Sequence, residues 1–250
     1  MSDPTDTTHF GYQTVTAAEK NQRVQGVFDS VARRYDRMND LMSLGLHRLW
    51  KRFAVELCRL RPGQRVLDLA GGTGDLAEGI FRATCGDGQV VLADRNAAML
   101  SAGHNRRLDG GWVDPFDYVQ ADAEQLPFPS GSFDAVIIGF GLRNVTHPQV
   151  ALGEMQRVLK AGGRGVVLEF SHPYLSPLKS LYDAYSFAVL PTLGRLVAND
   201  GNSYRYLAES IRRHPDQGQL LALMGQAGFE GCECFNLHGG IVAIHRGYRL

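Results

Sequence analysis

The sequence has no apolar run approaching the ~18 residues that a membrane-crossing helix needs, so nothing in it reads as a span. It also lacks an excess of either charge. Lys+Arg and Asp+Glu both number 26, which removes any overall electrostatic pull toward nucleic acid. Cysteine is scarce: of Cys58, Cys85, Cys232 and Cys234, the last two stand two apart, without the C-x-x-C spacing of zinc or redox sites. All four read as reduced packing residues of a cytoplasmic protein, and no metal site is expected. Internal repeats and low-complexity tracts are missing. The opening Met1-Ser2-Asp3-Pro4-Thr5-Asp6 has the features of neither a signal peptide nor an arginine-rich transit peptide. What remains is ordinary globular material. Its 250 residues are enough for one α/β domain with an insertion and call for no second core.

The most informative stretch present is Val66-Leu67-Asp68-Leu69-Ala70-Gly71-Gly72-Thr73-Gly74-Asp75, a short apolar strand running into a glycine turn and then a helix. Glycine lets backbone approach a ligand closely, and in open α/β sheets nucleotide-like ligands bind outside the carboxyl ends of strands. Gly72-Thr73-Gly74 with Ala77 spells G-x-G-x-x-A, and Asp94 follows Gly74 by 20 residues at the end of Val90-Val91-Leu92-Ala93. That spacing suits a carboxylate that accepts two hydrogen bonds from ribose hydroxyls, and by itself it permits a nicotinamide dinucleotide. Asp68 before the turn and Asp75 after it argue otherwise, because a pyrophosphate wants an uncluttered positive helix end. S-adenosylmethionine, a sulfonium, an ammonium and a nucleoside without phosphate, fits those charges. The alternative is that Asp75 only caps a helix and Asp68 is a buried structural partner.

Along the chain, residues 1–20 are polar and expected to be loose, and 21–60 to be helical, with Leu46, Leu49, Trp50, Phe53, Leu57 and Leu60 at helical spacing. Strands at 65–70, 89–94, 118–120, 133–139 and 165–170 alternate with helices at 75–82, 97–107 and around Ala151–Leu159. This rhythm predicts a Rossmann-like α/β fold with a mostly parallel sheet. Residues 171–213 break it. Leu178, Leu181, Tyr182 and Tyr185 share one helix face, as do Tyr204, Leu207, Ala208 and Ile211. This helical insertion is either a lid over a bulky apolar substrate or an elaboration packed on the core. A last helix with Leu220, Leu223, Met224 and Ala227 precedes an antiparallel hairpin of 229–237 and 241–249, joined at His238-Gly239-Gly240.

With the glycine turn, Asp94 and the terminal hairpin, the chain resembles the class I S-adenosylmethionine-dependent methyltransferases. More narrowly, it is similar to the ubiquinone/menaquinone biosynthesis C-methyltransferases. Phe140-Gly141-Leu142-Arg143-Asn144-Val145 and Ser203-Tyr204-Arg205-Tyr206-Leu207 carry that narrower likeness, which runs nearly end to end. It implies cofactor contacts at Gly72, Thr73, Gly74, Asp94, Asp122, Ala123 and position 139. Asp stands at position 122 where the family often has Asn, and can still accept from the adenine amine. Gly139 stands where the family often has Ser, so only its backbone can serve.

The implied reaction moves a methyl from sulfur to a ring carbon of a polyprenylated hydroquinone, demethylmenaquinol or a 2-polyprenyl-6-methoxy-1,4-benzoquinol. The acceptor must be positioned and its hydroxyl made acidic. Arg143 cannot be the base, because guanidinium stays protonated. It can lower the hydroxyl's pKa and hold a water that takes the proton, with Asn144 orienting the same oxygen. The alternative is an Arg143 paired with a carboxylate for structure. His172, Tyr182 and Tyr185 are weaker candidates for substrate contact. The expected partners are the lipophilic quinol and, in transient contact, a membrane surface, met by the insertion or by the helix bearing His47, Arg48, Lys51 and Arg52. Other quinone-biosynthesis enzymes and a second copy of the chain stay open as partners, and nucleic acid is not expected. Rival readings are a nicotinamide oxidoreductase, a methyltransferase of another phenol or a sterol, and a noncatalytic cofactor-binding partner.

Overall fold

The computed structural model describes residues 6–31, 39–40, 43, 45–111, 115–174 and 201–250. Strands β3 (Arg65–Leu69), β4 (Gln89–Asp94), β5 (Phe116–Gln120), β6 (Phe133–Gly139), β7 (Leu159–Phe170), β8 (Glu230–Leu237) and β9 (Val242–Tyr248) form one sheet in the order β5-β4-β3-β6-β7-β9-β8. Neighbours run parallel except β9, which lies antiparallel between β7 and β8. The order reverses at β3, so the crevice above β3, β4 and β6 is a topological switch point.

Successive strand residues point to opposite faces, and here both faces are covered. Leu67, Leu69, Val91, Ala93, Val136 and Ile138 pack against helices α5 (Pro148–Val158) and α7 (Gln217–Gln226). Val66, Val90, Leu92, Ala135 and Ile137 pack against α2 (His47–Leu57), α3 (Asp75–Ala83) and α4 (Ala97–Asp109). The near-continuous apolar strands of the sequence follow from this two-sided burial.

Three expectations need correction. Residues 7–16, expected to be loose, form an antiparallel pair, β1 (Thr7–Phe10) and β2 (Gln13–Thr16), leading into α1 (Ala17–Val31). Their anchors are far away in sequence: Phe10 stacks on Tyr206 at 4.2 Å, and the Tyr12 N–H donates to Glu209 Oε2 at 3.1 Å. Leu49, assigned to the apolar face of α2, is 60% exposed, while His47, Trp50, Ala54 and Val55 are buried. Lys160 to Gly163, read as a turn before the strand, is absorbed into β7 as an irregularity. Phe133 pairs with Leu159 but Ala135 with Arg164. In the insertion, α6 (Gly201–Arg213) buries Tyr204, Leu207, Ala208 and Ile211 as the spacing required. Leu178, Leu181, Tyr182 and Tyr185 lie outside the described residues.

Candidate active site

A cavity opens at the carboxyl ends of β3, β4 and β6, with about 790 Å³ of empty space, its mouth included. It lies where open α/β sheets bind their ligands. Leu69, Ala70 and Gly72 form its floor, Asp94, Arg95 and Asn96 one side, Ala121 to Glu124 another, and Phe140, Gly141 and Asn144 a third. Ala70 and Phe140, at the tips of β3 and β6, both adopt positive φ (51° and 56°), strained for non-glycine residues and concentrated where the strands part. The roof comes from α1, through Asn21, Val24, Gln25 and Phe28. The sequence reading missed this roof, although Val24 and Phe28 stand one helical turn apart.

Asp94, expected from the sequence to meet a ribose, lines the cavity with both carboxylate oxygens held by backbone donors. The Gly72 N–H donates to its Oδ2 at 2.9 Å and the Asn96 N–H to its Oδ1 at 2.8 Å. Each oxygen keeps a lone pair for a further donor. Burial pushes the carboxyl pKa up, opposed by the backbone N–H donors of Asn96, Gly72 and Arg95. Asp122 also lines the cavity, but its Oδ1 accepts from the Glu124 N–H at 3.0 Å and its Oδ2 lies 3.0 Å from Arg95 Nη1. Ala123 lines the same wall.

The two acids flanking the glycine turn separate sharply. Asp75 is held by Lys51 at 2.8 Å and Arg106 at 3.3 Å; burial raises its pKa, but those cations pull it below the usual value. Its charge is therefore spent within the protein, which removes it from the cofactor argument. Asp68 is fully buried, and neither of its oxygens has a well-placed donor. Burial pushes its pKa up to about 7, against the pull of Lys51 and the weak help of the Ala77 N–H. A Cβ at Gly71 would stand 2.8 Å from Asp68 Cγ, so only glycine lets the turn pass over this carboxylate. An orphaned buried carboxylate beneath a glycine cradle, next to Asp94 with its spare lone pairs, fits a cofactor that carries both a cation and a nucleoside.

Of the other residues expected from the sequence, Gly74 holds the start of α3 at φ 85°, and the buried Thr73 presents its carbonyl to Arg107 Nη1 at 2.9 Å and Arg106 Nη2 at 3.2 Å. Both support the turn from below. Gly139 packs on Leu76, and the backbone facing the cavity here belongs to Phe140 and Gly141.

Arg143 and Asn144 sit together in a short 3-10 turn, Leu142–Asn144, after β6. The arginine is not a bare charge. Its Nη1 donates to Glu169 Oε1 at 2.7 Å and to the Phe140 carbonyl at 2.5 Å, and its guanidinium lies 5.5 Å from the Phe170 ring centre. Asn144 Oδ1 accepts from the Tyr206 hydroxyl at 3.0 Å. His172 donates from Nε2 to the His214 carbonyl at 3.0 Å, which ties the end of β7 to the end of α6 and leaves it a structural partner. Glu169 and His214 went unnoticed in the sequence, and Tyr206 stood there only within the 203–207 motif, without a role. Each looks like a strand or helix residue there, and only packing brings them to the 142–144 turn. His214 is buried, both ring nitrogens lack partners, and burial, with Arg143 and the neighbouring His245 and His172, lowers its pKa to about 3.

Comparison with known proteins decides the family. The model of the ubiE/COQ5 methyltransferase family matches residues 16–249. The chain belongs to that family. It is 60% identical over 250 residues, all of both chains, to the ubiquinone/menaquinone biosynthesis C-methyltransferase UbiE of Coxiella burnetii (strain RSA 331 / Henzerling II). It is 58% identical over 250 residues, again all of both chains, to the protein of that name from Enterobacter sp. (strain 638). Among solved structures it is similar to a Thermotoga maritima SAM-dependent methyltransferase, a possible histamine N-methyltransferase, with TM-score 0.61, 22% identity, 91% of this chain and 100% of that one covered. It also resembles a methyltransferase solved in complex with the Haloferax volcanii Trm112 activator, with TM-score 0.65, 15% identity and coverage of 89% and 97%. These structural likenesses establish the fold of class I S-adenosylmethionine-dependent methyltransferases.

Proposed function

We propose that this chain transfers a methyl group from S-adenosylmethionine to a ring carbon of a polyprenylated hydroquinone in menaquinone and ubiquinone biosynthesis. The observation that carries the reading is the full-length identity to proteins named for that C-methylation, over a chain whose cavity has the matching donors. When bound, the cofactor supplies a methyl on a cationic sulfur, an electrophile that needs no activation. Asp94 would hold the ribose hydroxyls through its two spare lone pairs, and Asp68, buried beneath the Gly71 turn, would supply the negative charge for the cationic amino-acid end. Asp122 and Ala123 border the adenine. Phe140, Gly141 and Asn144 form the wall nearest the acceptor, and Asn144, with Arg143 buried directly behind that wall, orients the hydroxyl beside the reacting carbon. A hydroxyl that gives up its proton there makes the neighbouring ring carbon nucleophilic.

The isoprenoid tail belongs in a bilayer, and no helix among the described residues is long and apolar enough to cross one. A transient surface contact meets that need. The outer face of α2, with Leu49 60% exposed between Arg48 and Arg52, supports it. Flotation with anionic vesicles tests it, and absence of binding at low salt excludes it.

The activity test is transfer of labelled methyl from S-adenosylmethionine to demethylmenaquinol by the purified chain, together with quinone profiling of cells lacking it. Ring-demethylated quinones should accumulate. A normal quinone profile, or tighter binding of NADH than of S-adenosylhomocysteine by calorimetry, overturns the reading.

A further inference from the structure

Glu169 is among the most deeply buried acids in the protein. Its side chain is 2% exposed and that of Arg143 is 7% exposed, and the pair closes at 2.7 Å. The carboxylate binds the arginine twice, because the Arg143 N–H also reaches Oε2 at 3.3 Å, while the Phe170 N–H donates to Oε1 at 2.9 Å. Side chain and backbone of one residue are thus fastened to one carboxylate at the end of β7. The fork is further fixed by the Phe140 carbonyl on Nη1 and by the Phe170 ring. This arrangement immobilises a side chain that otherwise has many rotamers to lose. It leaves Nε buried and without a partner.

A buried ion pair is weak evidence for stability, because desolvating two charges offsets most of their attraction. Here Arg143 stands between Gly141 and Asn144, which line the cavity, and Glu169 reaches it from β7; a buried donor without a partner is costly unless something accepts from it.

We propose that Glu169 is a positioning residue of the transfer: it locks the Arg143 guanidinium in one orientation, so that Arg143 acts on the acceptor hydroxyl as an aimed hydrogen-bond donor within a neutral pair. This rests on the proposed reaction and on Arg143 touching the acceptor. It changes what Arg143 does. A naked cation would acidify the hydroxyl from any nearby position, whereas a neutralised, fixed donor works only in its held geometry. Glu169→Asp, which keeps the charge but draws the carboxylate back by a methylene, should therefore be nearly as damaging as Glu169→Gln.

The test uses the full chain with Arg143→Ala, Glu169→Gln, Glu169→Asp and the Arg143→Ala/Glu169→Gln double variant. Affinity for S-adenosylhomocysteine should stay within about twofold in both Glu169 variants, while turnover falls by about tenfold or more and affinity for menadiol, followed by tryptophan fluorescence, falls with it. Turnover losses should be strongly non-additive in the double variant, since both single changes break one unit. Millimolar guanidinium chloride should raise the melting temperature of Arg143→Ala and restore part of its turnover, because Glu169 still offers the seat, and should do neither for the double variant.

The double variant leaves no orphaned charge, so this comparison stands even where Glu169→Gln is poorly folded. Wild-type turnover in a folded Glu169→Gln or Glu169→Asp, or equal rescue of the single and double variants, overturns the role of Glu169 and leaves the reaction intact. Wild-type turnover in Arg143→Ala instead removes the arginine from the proposed reaction and takes this inference with it.

Discussion

At the scale of single residues, the site is a set of carboxylates sorted by their surroundings. Asp75 is neutralised by two cations, Asp94 is dressed by backbone donors on one side only, and Asp68 is left bare. Asp94→Ala should weaken S-adenosylhomocysteine binding by one to two orders of magnitude, roughly the loss of a charge-assisted hydrogen-bond pair, read by calorimetry. Asp68 makes a pH prediction whose sign can be worked out. Its folded pKa, about 7, lies above its unfolded value. Below the unfolded pKa both states hold the proton and the group is silent. As pH rises from there toward 7, only the unfolded carboxyl ionises, so Asp68 progressively destabilises the free protein, and the effect levels off above that. A cationic ligand end favours the ionised form. Cofactor affinity should therefore rise with pH through about 7 with proton release, and calorimetry in buffers of different ionisation enthalpy detects it. Asp68→Asn should remove this pH dependence; a flat profile in the unmodified chain would show that Asp68 does not meet the cation.

At the scale of elements, the cavity depends on how α1 is held over the strand tips. Asn96 caps α4 by accepting from the Met99 N–H at 2.9 Å, and its Nδ2 donates to Asp29 Oδ1 at 2.7 Å on α1. Asn96→Ala removes both and should cost about 1–2 kcal/mol in denaturant unfolding. Asn96→Asp retains the cap but sets two carboxylates against each other. It should spare much of that stability while weakening cofactor affinity and speeding hydrogen exchange in α1. On the opposite side, Asn21 accepts from Thr146 Oγ1 at 2.9 Å and the buried Lys20 donates to the Val145 carbonyl at 2.7 Å. Burial lowers the Lys20 pKa to about 8, so this fastening is pH-sensitive from both of its ends.

The second end belongs to the molecule as a whole. His147 bridges Glu124, in the cavity wall beside Asp122 and Ala123, and Asp6 before β1. The hydrogen bond to Glu124 raises its pKa, burial works against this, and Asp6 adds to the rise. A raised histidine pKa contributes in full below the unfolded value and fades as pH climbs past the folded one. Exchange protection of β1 and β2 should accordingly fall as pH rises past the raised pKa of His147, and His147→Gln should flatten that change. Across the molecule, chain segments distant in sequence meet at the cavity: the N-terminal helix, the glycine turn and the turn after β6, whose Asn144 is held by Tyr206 of α6.

What was legible in the sequence was what local chemistry dictates. Alternation of apolar strands and amphipathic helices, a turn that only glycine can make, and an acid at the next strand tip depend on neighbours a few residues away, and they defined the fold class and Asp94. The glycine spacing could not separate Asp68 from Asp75, because which carboxylate meets Lys51 and Arg106 is settled by helix packing. The anchoring of the β1–β2 pair on Tyr206 and Glu209, the roof of α1, the Glu169 seat of Arg143 and the Tyr206 contact of Asn144 span tens to hundreds of residues of chain. Only the closed tertiary structure decided them, because a hydrogen bond or ion pair between such distant groups leaves no periodic mark on the sequence at either end.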